Sequence, residues 1–191
     1  LQTFFTNRKQ LQAPFGPPQF MNQVHGDEVL LISKISEERP TCDALLTIVS
    51  GIALAVRVAD CIPLLLSSKQ VVAAVHVGRA GLVNNIALIT LGRMRQLGAT
   101  SIHAILGPSI CGKCYEVPQD LADEIVALKP ASRCSTRSGT PSLDLPAGLI
   151  VDLKSQGVTY EASTICTFED EKYFSYRRGD KSERFAGMIT L

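Results

Sequence analysis

The stretch Ile52–Val77, IALAVRVADCIPLLLSSKQVVAAVHV, decides the fold class. It contains the runs Ile52–Val58, Ile62–Leu66 and Val71–Val77, separated by Ala59-Asp60-Cys61 and by a polar Ser-Ser-Lys-Gln turn. Each run is rich in Val, Ile, Leu or Ala and bounded by Gly, Pro, Asp or Ser, which reads as strand. Their near-continuous apolarity predicts burial on both faces. Outward from this block, Glu28–Ser33 and Ile102–Leu106 read the same way. Val158–Cys166 alternates like a half-buried strand, and Gly187–Leu191 reads as a last one.

Helical spacing predicts helices over Leu82–Leu97, closed by Gly98, and over Pro118–Leu128, with the proline in the first turn and acids after it. The segment Gln12–Gln19 is turn-rich and without period. Strands and helices follow one another in a mixed order with no repeat and no long linker. An α+β fold with a mixed sheet, one domain over residues 1–191, is expected.

Composition narrows the chemistry. With 46% hydrophobic and 19% charged residues and a formal charge of +1, the chain has no basic field for nucleic acid or an acidic membrane. No run approaches the roughly 18 apolar residues needed to span a bilayer. The cysteines at 42, 61, 111, 114, 134 and 166 are scattered through a chain that is neither small nor loop-rich, so reduced thiols in a cytoplasmic compartment are expected. Leu1 is not an initiator, so the true N-terminus, with any targeting signal on it, is expected to lie outside this sequence.

The chain has only three histidines. His25 ends Asn22-Gln23-Val24-His25 before Gly26, and His76 lies near the end of an apolar run before Val77-Gly78. Cys61 falls between them, where one strand breaks before Pro63. A soft thiolate and two imidazoles suit zinc or copper, and three protein ligands leave a position open, as catalytic sites require. The same residues allow a second chemistry, in which Cys61 is a nucleophile and His76 its base. Asp43 and Asp60 adjoin cysteines at strand boundaries, where each either orients a metal-bound histidine or caps a turn. Arg177-Arg178 either clamps an anion or is paired internally. Cys111-Gly112-Lys113-Cys114 is a CxxC without a second CxxC at ribbon spacing and is read as packing or turn thiols. No GxxxxGK or GxGxxG is present for a nucleotide phosphate.

Taken together, several segments resemble one family. They are Asn22-Gln23-Val24-His25-Gly26, Cys42–Thr47, Val58–Leu66, Ala73–Gly78, Leu106–Ile110 with Cys114-Tyr115-Glu116-Val117, Leu143-Asp144-Leu145 and Phe174–Arg178. The set resembles the purine nucleoside phosphorylase family once called polyphenol-oxidase or laccase-domain proteins, which are unrelated to multicopper oxidases. The resemblance runs from about Phe4 to Leu191.

It implies a mixed β-sandwich core flanked by helices and a zinc held by His25, Cys61 and His76, with copper as the other metal described for relatives. Implied catalytic residues are Asp60, Cys61, His76 and Arg79. Implied activities are phosphorolysis of adenosine, inosine, guanosine and methylthioadenosine, and adenosine deamination. The alternatives are a copper-dependent phenol oxidase and a metal-free Cys61–His76 hydrolase acting on peptidoglycan precursors. Arg79 and Arg8 are the expected phosphate holders. Where many relatives read His-Ala-Gly-Trp-Arg-Gly, this chain has His76-Val77-Gly78-Arg79-Ala80-Gly81, with the guanidinium one position earlier. Relatives also carry a longer segment after the region of Thr6-Asn7-Arg8, so a missing loop is expected between Gly16 and Pro17.

Overall fold

A computed structural model describes residues 1–10, 12 and 14–191. In chain order the elements begin with strands β1 (Gln2–Phe5), β2 (Val29–Leu31), β3 (Ala44–Thr47), β4 (Ala53–Val58), β5 (Ile62–Ser67) and β6 (Val72–Val77). Helices α1 (Arg79–Val83) and α2 (Ile86–Gln96), strand β7 (His103–Leu106) and helix α3 (Gln119–Leu128) follow. The chain closes with β8 (Arg133–Ser135), β9 (Pro141–Leu143), α4 (Leu145–Ser155), β10 (Thr159–Ala162) and β11 (Phe185–Thr190).

Two sheets carry the fold. One has six strands in the order β10-β7-β5-β6-β3-β2, parallel at its two ends and antiparallel between. The other is antiparallel, in the order β1-β11-β4. The alternation of side chains along each strand explains the unbroken apolar runs. Leu64 and Leu66 of β5 and Ala73, Val75 and Val77 of β6 face the helices, packing with Leu82, Ile86, Leu91, Ile125, Leu149 and Leu153. Leu65, Val72 and Ala74 face the opposite way, against Leu54, Val56, Val58, Phe185 and Ile189 of the smaller sheet. The result is the expected α+β architecture, a mixed sandwich with helices packed on its larger sheet.

Several sequence-based bounds shift. The helix expected over Leu82–Leu97 starts at Arg79 and breaks at Asn84–Asn85, where Asn85 takes a left-handed backbone (φ 61°) that asparagine tolerates. Pro118 caps α3 from outside its first turn. The strand expected through Cys166 ends at Ala162. Helix α4 was not anticipated, although Asp144 accepts from the Ala147 N–H at 2.9 Å and Pro146 sits in the first turn, both ordinary start signals. Strands β1 and β3 were also missed. The Phe5 ring of β1 lies against Gly107 and Gly187, where a Cβ on either residue would strike it.

The link Ala59-Asp60-Cys61 is where the chain leaves the smaller sheet (β4) and enters the larger one (β5). The turn is sharp enough to hold Asp60 at φ 88°, a conformation that costs a non-glycine residue of order 1–3 kcal/mol. Cys61 is thus fixed at the seam between the sheets. Among the described residues no helix is long and apolar enough to cross a membrane.

Candidate metal centre

His25, Cys61 and His76 come together at that seam. One ligand atom from each lies within 4.8 Å of the others, and the two imidazoles meet edge to face with centroids 4.7 Å apart. Distances of this order are near those that bonds of about 2.0–2.3 Å to a common ion require. His76 is buried on β6, on the same face as Val72 and Ala74. His25 is exposed, on a turn that holds it at φ 61°.

Asp43, fully buried, organises both histidines. Its Oδ1 accepts from His76 Nδ1 at 2.8 Å and from the His25 backbone N–H at 3.0 Å. Its Oδ2 accepts from the Gly26 N–H at 2.7 Å and the Val24 N–H at 3.2 Å. The Asp43 carbonyl also receives the His76 backbone N–H at 2.8 Å. One carboxylate therefore sets the His25 turn and places the proton of neutral His76 on Nδ1, leaving Nε2 free to bind a metal. Burial pushes the Asp43 carboxyl up, but the His76 and Gly26 hydrogen bonds outweigh it and hold the group below its usual value.

Gln23 anchors the same turn from the other side. Its amide accepts from the Arg57 N–H and donates to the Arg57 carbonyl, at 2.8 and 2.7 Å, mimicking a neighbouring strand along β4. Gly78 completes the cradle. A Cβ there would sit 3.0 Å from Cys61 Sγ and 3.2 Å from His25 Cδ2, so only glycine leaves this space to the three ligands.

Burial raises the Cys61 thiol, but hydrogen bonds from His25 and His76 outweigh that and bring it down to about 6. His76 moves upward, its burial overcome by Asp43 and Cys61. The Cys61 shift favours thiolate, the form that binds metal or acts as a nucleophile, and the His76 shift favours an imidazolium beside it, whose Nε2 proton a bound metal would displace.

The three side chains lie on a cleft of about 860 Å³, within the usual range for a small-molecule site. Tyr115 and Tyr176 line it together with Arg39, Arg57, Arg177, Lys181 and Arg184, and among the described residues Asp60 is the one acid in the lining. Asp60 is already engaged: Oδ1 accepts from Thr167 Oγ1 and Oδ2 from the Arg177 N–H, both at 2.7 Å. Burial and the nearby charges of Arg39 and Arg184 lower the Arg57 guanidinium. Among the described residues no carboxylate forms an ion pair with any of these three arginines. Arg184 Nη1 donates to the carbonyls of Asp180, Lys181 and Glu183, and the cleft's four arginines and one lysine against a single acid give it a net positive field that favours an anion.

The sequence had pointed elsewhere for that anion. Arg8 is bound to Asp180 at 2.5 Å and lies over the Phe174 ring, outside the residues lining the cleft. Arg79 does not line the cleft either; it stands beside Tyr115, whose phenol is raised by burial while Arg79 pulls it down. The pair Arg177-Arg178 divides. Arg178 is paired internally with Asp180 and with the carbonyls of Thr167, Phe168 and Tyr173. Arg177 stacks on Tyr115 at the cleft wall and donates to the Glu116 carbonyl. Arg39, Arg57 and Arg184 were missed because they are brought together only by the sandwich; none belongs to a local pattern.

Comparisons with known proteins agree with this architecture. The family described as multi-copper polyphenol oxidoreductase laccase matches residues 2–191. A Streptomyces coelicolor protein named purine nucleoside phosphorylase is 42% identical over 90% of this chain and 74% of its own length. One of the same name from Mycobacterium tuberculosis is 41% identical over 97% of this chain and 78% of its own. Among solved structures, a Neisseria meningitidis protein superposes with a TM-score of 0.80 at 31% identity, covering 92% of this chain and 75% of that one.

Proposed function

We propose that this chain, which belongs to the multi-copper polyphenol oxidoreductase laccase family, is a metal-dependent purine nucleoside phosphorylase. The observation that carries the reading is the meeting of His25, Cys61 and His76 on a cleft lined by Arg39, Arg57, Arg177 and Arg184, in a chain about 41–42% identical to proteins named for that activity. In our reading the substrates are adenosine, inosine, guanosine and methylthioadenosine, with adenosine deamination as a second activity. The setting is cytoplasmic, with no nucleic-acid or membrane partner.

The residues fit a resident ion. One thiolate and two imidazoles form a set that suits zinc, and copper as well, with a position left open and a glycine clearing the space. When bound, zinc supplies a Lewis acid and acidifies a water toward neutrality. Within the protein, Asp43 holds His76 in one tautomer and keeps the His25 turn in place. Arg57, with Arg39 and Arg184, holds phosphate by charge-assisted hydrogen bonds. Tyr115 and Tyr176 flank the purine. A phosphate oxygen then bonds C1′ of the ribose as the bond from C1′ to the purine nitrogen breaks, and the base leaves with the electron pair and takes up a proton. Asp60 serves as a positioning residue, since its carboxylate ties the Cys61 link to the Thr167 and Arg177 segment. Arg79 acts through Tyr115.

One observation favours a second reading. Cys61, His76 and Asp43 are also arranged as a nucleophile, a base and an orienting acid. His25 separates the two, since a metal-free hydrolase has no use for it. Purified protein is assayed with each nucleoside with and without phosphate, before and after chelation, and products are resolved by chromatography. Release of free base and ribose 1-phosphate that requires both phosphate and metal is expected. Phosphate-independent hydrolysis that survives chelation would replace this reading with the thiol one.

A further inference from the structure

Away from the cleft floor, a second cluster uses the motif that the sequence left as packing thiols. The CxxC does have partners: Cys111, Cys114, Cys166 and Glu169 each present a ligand atom, all within 4.8 Å of one another. The cluster is built from two facing turns of the same design. In the first, the Cys114 and Tyr115 N–H groups both donate to the Cys111 carbonyl, at 3.0 and 3.1 Å. In the second, the Glu169 and Asp170 N–H groups both donate to the Cys166 carbonyl, at 3.1 and 2.9 Å. Each turn therefore offers ligands at its first and fourth residues, Cys111 with Cys114 and Cys166 with Glu169.

The turns are held against each other. Ser109 and Cys166 form a parallel bridge, and the Cys111 N–H points at Cys166 Sγ at 3.3 Å. Cys114 Sγ lies 3.4 Å from Glu169 Oε1, and Arg137 reaches both, 3.4 Å from the sulfur and ion-paired with the carboxylate. Tetrahedral bonds of about 2.3 Å to sulfur place neighbouring ligands roughly 3.8 Å apart, close to what these side chains already span. Three thiolates and a carboxylate leave negative charge in excess of a divalent ion, which Arg137 offsets in part.

We infer that Cys111, Cys114, Cys166 and Glu169 form a second, structural site for a thiophilic divalent ion, zinc by its donor set. All four positions are filled by protein, the mark of a closed site that does no chemistry. Its place gives it a purpose. The first turn runs straight into Tyr115 and Glu116, and the second contains Thr167 and leads on to the loop bearing Tyr176 and Arg177. An ion here pins these two walls of the cleft together, beside the Asp60 bonds that meet the same segments.

The test uses the reduced full-length chain carrying Cys61→Ala and His76→Ala, stripped with a chelator and titrated with cobalt(II), then zinc. One equivalent of cobalt is expected, with thiolate-to-metal charge-transfer absorption and the visible bands of a tetrahedral ion, both erased by zinc. Adding Cys114→Ser and Cys166→Ser should abolish that equivalent, whereas adding Cys134→Ser should leave it. Should the quadruple variant lose its circular dichroism, peptide mapping of the unmutated protein gives the same answer: zinc should shield Cys111, Cys114 and Cys166 from alkylation and chelation should expose them. Absence of bound cobalt, binding without a thiolate band, or a disulfide joining Cys111 to Cys114 would each overturn the site.

Discussion

The two cysteine clusters of this molecule show opposite designs. At the cleft, one thiolate and two imidazoles arrive from three separate segments, and the arrangement is held by a buried carboxylate. In the second cluster, two short turns supply three cysteine sulfurs and a carboxylate, and among the described residues no buried carboxylate bonds to them. The first set is incomplete as a coordination sphere and faces a cleft. The second offers four protein ligands. On the proposed reading the contrast separates a reactive position from a structural one: open valence and an orienting second partner at the first, closure and local turns at the second.

The largest effect that would sharpen this contrast is expected from Cys61→Ala. It should abolish metal at the cleft and lower phosphate-dependent turnover by more than about 100-fold, since loss of an outer partner alone typically costs 10–100-fold. Metal content and turnover near those of the parent would break the contrast. Asp43→Asn comes next. It removes the carboxylate that fixes His76 and the His25 turn, and metal affinity at the cleft should fall roughly 10–100-fold while the second cluster keeps its ion. Competition with a chromophoric chelator reads both sites; equal losses at the two would show a general unfolding instead.

These expectations rest on features of unequal visibility in the chain. The core strands Ala53–Val58, Ile62–Ser67 and Val72–Val77 were legible because burial on both faces leaves an unbroken apolar signature. Helix α4 was hidden by its own Pro146 and Gly148, although Asp144 and the spacing of Leu145, Leu149 and Leu153 announce it. Gly148 is required for packing, because a side chain there would strike Ser132 and Leu82. In the site, the residue types at His25, Cys61 and His76 suggested a metal, but separations of 36 and 15 residues carry no local code. The roles of Asp43 and Asp60 stayed undivided until the fold put Asp43 behind His76 and turned Asp60 toward Thr167. Cys166 and Glu169, at spacing i to i+3, repeat the CxxC pattern with a carboxylate in the last place, a signal that was present and passed over.

A smaller effect is expected from Arg57→Ala. It deprives the cleft of its partly buried guanidinium, and the KM for phosphate should rise about tenfold with little change in kcat, in line with a charge-assisted hydrogen bond of roughly 1.5–3 kcal/mol less what Arg39 and Arg184 recover. Steady-state kinetics with varied phosphate checks this; an unchanged KM would move the anion site elsewhere.

The smallest effect concerns the segment from Ser175 to Asp180, which carries Tyr176 and Arg177 on the cleft. The Ser175 N–H, then Arg8 and Arg178, hold the Asp180 carboxyl down at about 2, against an ordinary value of 3.8. A depressed folded-state value contributes stability above pH 3.8 that is lost as pH falls through about 2. Asp180→Asn should therefore lower the urea midpoint modestly at neutral pH, and the gap from the parent should close across that acid window. A gap that persists unchanged below it would mean the carboxylate charge is not what holds the loop.

The most direct test of the account counts metal and turnover on the same preparations of the unmutated protein and Cys61→Ala. Elemental analysis should find two equivalents per chain with phosphate-dependent nucleoside cleavage in the first, and one equivalent with cleavage abolished in the second. Cleavage that persists in Cys61→Ala, or an ion count that the substitution leaves unchanged, would contradict the assignment of the chemistry to His25, Cys61 and His76.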